Sequence, residues 1–139
     1  MMKRTAKAHW SGALKEGKGT LESPSGVLKD TPYSYQTRFE EGIIGTNPEE
    51  LLAAAHAGCF TMAVASALSK KGLKAASLDT EATVNMEGLA IDGVHLVITG
   101  SVDGMNFGDF ADIVKVVAKE CIISKALSVP ITSEARFKA

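Results

Sequence analysis

Residues 45–60 read GTNPEELLAAAHAGCF, a helix start followed at once by a run without charge. Asn47 suits an N-cap and Pro48 the first helical position, where its missing N–H costs nothing; Glu50, three residues after Asn47, is placed to reach back toward the cap. Lys70, Lys71 and Gly72 supply a cationic last turn and a stop. Between Leu51 and Leu68 there is no formally charged residue, which just meets the shortest window, about 18 residues, that a membrane span needs. The content argues against lipid: seven of those positions are alanine, and His56, Gly58, Thr61 and Ser66 add smallness or polarity. The segment reads as a helix enclosed by close-packed protein. Spacing by three and four places Leu52, Ala55, Cys59, Met62 and Ser66 on one stripe of it.

Outward from this helix, the first 44 residues are broken by Gly12, Gly17, Gly19, Pro24, Gly26, Pro32 and Gly42, which predicts short strands joined by turns. In YSYQTRFE, alternation predicts a strand with Tyr33, Tyr35, Thr37 and Phe39 on one face and Ser34, Gln36, Arg38 and Glu40 on the other, so that Arg38 points away from the aromatic side. TEATVNME alternates Thr80, Ala82, Val84 and Met86 against Glu81, Thr83, Asn85 and Glu87. With VHLVITGSV after the turn residues Asp92 and Gly93 it predicts a hairpin. VPITSEARFKA predicts a last strand with Ile131, Ser133, Ala135 and Phe137 on one side. A second helix is expected from Asp109 to Ser128, its stripe of Phe110, Ile113, Val114, Val117 and Cys121 opposite Lys115 and Lys119. The order predicts an α+β chain forming a single domain over residues 1–139, with no repeat or linker to divide it.

The chain has 15 basic and 16 acidic residues and a formal net charge of −1. That balance leaves no electrostatic footprint for nucleic acid or an anionic membrane. The partner is expected to be a small molecule or another protein. MMKRTAKAHWSG has basic residues with no apolar stretch behind them, so the expected compartment is the cytoplasm. Two cysteines are too few for a disulfide scaffold, and in a reducing compartment a cysteine pair serves transient, catalytic or redox-sensing disulfides.

Each cysteine nevertheless has a plain alternative, because a free Cys on an apolar helix face is commonly a small hydrophobe. His56, one turn before Cys59, could contact it. A His-x-x-Cys pair alone lacks the further ligands that zinc needs, and no metal site is expected. Glu49, ten positions before Cys59, lies some 15 Å away along a helix axis at about 1.5 Å per residue. It cannot touch the sulfur, but it could hold a cation that does.

GTNPEELLAAAHAGCF, the preceding YxxxTRFEEGIIGTNP, the AHWSG near the N-terminus and the ECxxS at 120–124 together resemble the OsmC/Ohr family, in its OsmC branch. The resemblance implies an OsmC-like fold, with antiparallel sheets packed around two long helices, and an intertwined homodimer with active sites at the subunit interface. It also implies a thiol peroxidase that reduces organic hydroperoxides to alcohols in oxidative and osmotic stress defence. By position, Cys59 matches the peroxidatic cysteine, Cys121 the resolving one, Arg38 the arginine that activates the thiolate, and Glu49 the glutamate that holds the arginine. The family commonly has proline directly after the second cysteine. This chain has Ile122, which predicts Cys121 inside an unbroken helix.

The chemistry suits those residues. A thiol with an ordinary pKa of about 8.5 is mostly protonated at neutral pH, and only the thiolate attacks an O–O bond. A permanently charged guanidinium favours the thiolate and offers donors to a peroxide oxygen, and a carboxylate holds it through bidentate geometry. Alanine-rich surroundings leave room for an alkyl group. The implied cycle runs from a Cys59 sulfenic acid to a Cys59–Cys121 disulfide that an external dithiol of the lipoyl type reduces, with no flavin, haem or metal. His56 is assigned to packing or to support of the site. A small-molecule binding protein on the same scaffold, with Cys59 inert, and a redox sensor are the competing functions.

Overall fold

The computed structural model describes residues 1–138 and resolves the chain into two compact units, residues 1–51 and residues 52 onward.

The first unit holds a three-stranded antiparallel sheet of β1 (Lys7–Ser11), β2 (Lys18–Glu22) and β3 (Thr31–Tyr33), in that order. Its aromatic cluster depends on Gly19 in the middle strand. Trp10 and Tyr33 meet with ring centroids 5.7 Å apart, and a Cβ on Gly19 would collide with both rings. The expected strand over YSYQTRFE ends at Tyr33, and Tyr35–Phe39 forms the short helix α1 instead. Local side chains override the alternation here. Extended Ser34 accepts from the Thr37 N–H at 3.1 Å, while Thr37 Oγ1 accepts from the Ser34 N–H at 2.7 Å, a reciprocal capping box. On a helix Tyr35 and Phe39 are one turn apart, and their rings lie 4.9 Å from each other.

Helix α2 runs Pro48–Lys70, with the expected start and stop. Asn47 Oδ1 accepts from the Glu50 N–H at 2.8 Å. Gly72, at φ +74°, turns the chain so that the Leu73 N–H reaches the Leu68 carbonyl at 3.0 Å. Glu50 does not return to the cap; its Oε1 accepts from Thr46 Oγ1 at 2.9 Å. By length and composition α2 would suffice to cross a membrane, yet its His56, Phe60, Val64 and Leu68 are buried within the protein.

The second unit is built on a sheet of β4 (Ala75–Glu87), β5 (Ala90–Val102) and β6 (Ile131–Phe137), in that order. The hairpin turns at Gly88 and Leu89, with Gly88 at φ +60°, and not at Asp92 and Gly93, which lie inside β5. Glu87 pairs with Ala90 across a two-residue loop whose first residue must take positive φ, and glycine supplies it. Among the described strands, β1–β2, β2–β3 and β4–β5 pair antiparallel, whereas β5 and β6 run parallel. Parallel neighbours need a long crossover, and helices α3 (Phe107–Glu120) and α4 (Ile122–Ala126) provide it.

The core joins Phe60, Val64 and Leu68 of α2, Val94, Leu96 and Ile98 of β5, and Phe110 and Val114 of α3. The fold is therefore α+β. The buried stripe of α2 is rotated from the expected one: Ala55, Met62 and Ser66 are exposed, and Cys59 is half-buried at its edge. The expected continuous helix over 109–128 is broken at Cys121, which has ψ +151° and ends α3 while capping α4. No proline is needed for that break, because the sulfur itself accepts from the Ser124 N–H at 3.4 Å.

Candidate active site

Arg38 and Glu49 meet within one chain, inside the first unit. Arg38 Nε lies 3.2 Å from both Glu49 Oε1 and Glu49 Oε2. The carboxylate thus straddles one nitrogen, where a two-nitrogen fork was expected, and Nη1 and Nη2 of Arg38 donate to nothing among the described residues. The pair is positioned by Asn47, whose sequence signal spoke only of a cap. Its Nδ2 donates to the Thr37 carbonyl at 3.0 Å while its Oδ1 caps α2. One side-chain amide therefore ties the end of α1, which carries Arg38, to the first turn of α2, which carries Glu49. Gly45 completes the approach: a Cβ there would stand 2.7 Å from the Pro32 carbonyl oxygen, against which Thr46 hydrogen-bonds at 2.9 Å.

Arg38 does not point away from the aromatic side, because the residue is on a helix and not a strand. With Trp10, Leu14, Tyr33, Tyr35 and Pro48 it lines a cleft of about 300 Å³. A cleft with aromatic and aliphatic walls and one guanidinium favours a ligand with an apolar body and a polar or anionic end.

Both cysteines lie in the second unit as free thiols. Cys121 is buried, 4% exposed, and belongs to the core; half-buried Cys59 packs against the same core. Ser124 connects Cys121 to a histidine: its Oγ is 3.0 Å from Cys121 Sγ and 2.7 Å from His56 Nε2. His56 is wholly buried, its Nδ1 has no hydrogen-bond partner, and burial pushes its pKa below the ordinary 6.5. Among the described residues there is no group of three His, Cys, Asp or Glu side chains arranged to hold a metal.

The family model described as OsmC-like protein matches residues 40–135. The chain belongs to the OsmC family. It is 40% identical over 140 residues to the Peroxiredoxin OsmC of Escherichia coli strain K12 and to that of Shigella flexneri, covering 98% of this chain and 97% of each relative. With a match of that length to a peroxiredoxin, this OsmC protein is a peroxiredoxin-like peroxidase, an oxidoreductase. Among solved structures, the organic hydroperoxide resistance protein OhrB of Bacillus subtilis is 27% identical, with a TM-score of 0.70 over 96% of this chain and 98% of that one. An OsmC-like protein of Vibrio cholerae has a TM-score of 0.76 at 15% identity, covering 97% and 99% of the two chains, and supports the fold alone.

The burial of His56 agrees with its assignment to packing or support. Two features of this OsmC chain are not legible in the sequence. Ser124 is visible only as the last residue of ECxxS. The aromatic cleft beside Arg38 could not be seen while YSYQTRFE was read as a strand.

Proposed function

We propose that this OsmC protein reduces organic hydroperoxides to alcohols through Cys59, in defence against oxidative and osmotic stress. The Cys59 thiolate attacks one peroxide oxygen; the O–O bond breaks, the alkoxide leaves and takes a proton to become the alcohol, and the sulfur is left as a sulfenic acid, oxidised by two electrons. The Cys121 thiol then condenses with it, forming the disulfide and water. An external dithiol restores both thiols and leaves as its own disulfide. No resident metal or organic cofactor takes part.

The observation that carries this reading is the anchored guanidinium of Arg38. Glu49 holds it through Nε alone, so both terminal nitrogens remain for another group. In the proposed cycle they serve the Cys59 thiolate and the peroxide oxygens, for which a fixed planar cation is suited. The cleft lined by Trp10, Leu14, Tyr33 and Tyr35 beside that cation supports an alkyl or aryl hydroperoxide over hydrogen peroxide. The chain is read as one domain acting as an intertwined cytoplasmic homodimer.

One equivalent of cumene hydroperoxide, added to reduced protein and followed by intact mass, tests the reading. The expected product has lost two hydrogens, and added dithiol should support continuous turnover. Turnover by Cys59→Ser at the rate of the unmutated chain would overturn it.

A further inference from the structure

The second step of the proposed cycle needs the thiol proton to leave Cys121, a residue only 4% exposed, where water cannot readily take it. The structure offers a route. Cys121 Sγ, Ser124 Oγ and His56 Nε2 form a line with separations of 3.0 Å and 2.7 Å, and all three residues are buried. We propose that His56 draws the proton from the Cys121 thiol through the Ser124 hydroxyl when the disulfide forms. The inference rests on the peroxidase reading and adds a positioning residue to it.

Each hydrogen bond in the line fits both ends of the transfer. Before it, the ring carries its proton on Nδ1, Nε2 accepts from the Ser124 hydroxyl, and Ser124 Oγ accepts from the Cys121 S–H. After it, Nε2–H donates to Ser124 Oγ, whose hydroxyl donates to the thiolate, and the Ser124 N–H, 3.4 Å from Sγ, adds a second donor to the sulfur. The thiolate then attacks the sulfenic sulfur of Cys59. The S–O bond breaks as the S–S bond forms, and the departing hydroxide gains one proton, so that water is the only by-product and His56 returns to its neutral state. Electrons balance within the pair, because the sulfenic sulfur is reduced as the Cys121 sulfur is oxidised.

A neutral ring is required for Nε2 to accept; burial keeps the resting His56 neutral and disfavours its imidazolium, so the ring holds the proton only in passing, until the departing hydroxide takes it. Serine in place of a larger residue at 124 lets one oxygen reach both neighbours.

His56→Gln separates the two roles, since a glutamine amide can accept from Ser124 but cannot take up a proton. In rapid-mixing experiments on the full chain with one equivalent of cumene hydroperoxide, its first step should match the unmutated protein. Disulfide formation should slow by about 100-fold, within the range for a lost general base, with the sulfenic acid trapped by a selective reagent over the longer interval. Ser124→Ala, which removes the relay without touching the histidine, should behave the same way and carries the test if His56→Gln does not fold. Disulfide formation at the unmutated rate in either folded variant overturns the relay while leaving the peroxidase reading intact. Failure of the unmutated chain to consume hydroperoxide would remove both.

Discussion

Arg38 Nε stands 3.2 Å from each carboxylate oxygen of Glu49, eleven residues further along the chain. The arginine is thereby fixed at its inner nitrogen and free at its outer two. The Arg38 side chain is 34% exposed and that of Glu49 15%, so the pair adds little to stability, about 1 kcal/mol at most. Its value is in the direction it gives a permanent charge.

The first prediction follows from that geometry. Arg38→Lys keeps the charge but gives up the planar donor set, and should lower the rate of hydroperoxide consumption by about 10²-fold, the scale of losing one pre-placed donor. Glu49→Gln keeps an acceptor for Nε and should cost less, about tenfold by the same argument. Stopped-flow consumption of cumene hydroperoxide measures both, with thermal melting within a few degrees of the unmutated chain. Undiminished rates would mean that another group assists the sulfur.

How much was legible in the sequence depended on how local each signal was. Asn47, Pro48, Lys70 and Gly72 set both ends of α2 because caps and stops act within a few residues. The alternation in β4 and β6 was legible for the same reason. Alternation in YSYQTRFE predicts a strand for Arg38, and the Ser34–Thr37 capping box overrides it. Nothing near Cys121 in sequence is a known breaker, so the pattern predicts a continuous helix, and only the folded chain shows its sulfur acting as a cap. The parallel pairing of β6 with β5 and the meeting of His56 with Ser124, 68 residues apart, are long-range facts. No local pattern encodes them.

A second prediction separates the cysteines. Cys121→Ser should still consume one equivalent of hydroperoxide, since in the proposed cycle the attack needs only Cys59 and Arg38. Its sulfenic acid should then be trappable and drift to sulfinic acid under excess peroxide, whereas the proposed disulfide should protect the unmutated chain. Mass spectra after graded peroxide decide the matter. Equal over-oxidation of the two proteins would make Cys121 a core residue and leave resolution to an outside thiol.

The third prediction concerns packing in the core of the second unit. At Gly100 of β5, a Cβ would stand 2.6 Å from Phe110 Cζ and 3.3 Å from Leu78 Cδ2. Phe110 is wholly buried and packed on Phe137 at 5.1 Å, so it has little room to yield. Gly100→Ala should destabilise by about 1–3 kcal/mol, the usual cost of overpacking a core, read as an earlier urea midpoint with an unchanged slope.

The fourth is a pH dependence. Burial holds the His56 pKa below its ordinary 6.5, so the unfolded chain binds a proton there more readily than the folded one. The contribution of neutral His56 is fully present above pH 6.5 and is lost as the pH falls from there toward the folded value, with a slope of at most about 1.4 kcal/mol per pH unit. Urea midpoints between pH 7.5 and pH 5 should therefore decline more steeply for the unmutated chain than for His56→Gln. Parallel declines would show that other groups govern the acid limb.

The last prediction is the homodimer. In the single chain, α2 leaves Ala54, Ala55, Gly58 and Met62 exposed on an uncharged surface, with Met62 at 75% exposure. An apolar helix face of that kind calls for cover, and a second copy of the chain is the proposed cover. Light scattering at micromolar concentration should give twice the mass of one chain. Met62→Glu places a charge on that face and should shift the population toward monomer. Gly58→Leu makes the complementary test: a Cβ at Gly58 meets nothing within 4 Å in the single chain, so the change should be tolerated by a monomer and disruptive only if another subunit packs there. A monomeric unmutated protein, or a dimer indifferent to both substitutions, would place the interface elsewhere or remove it.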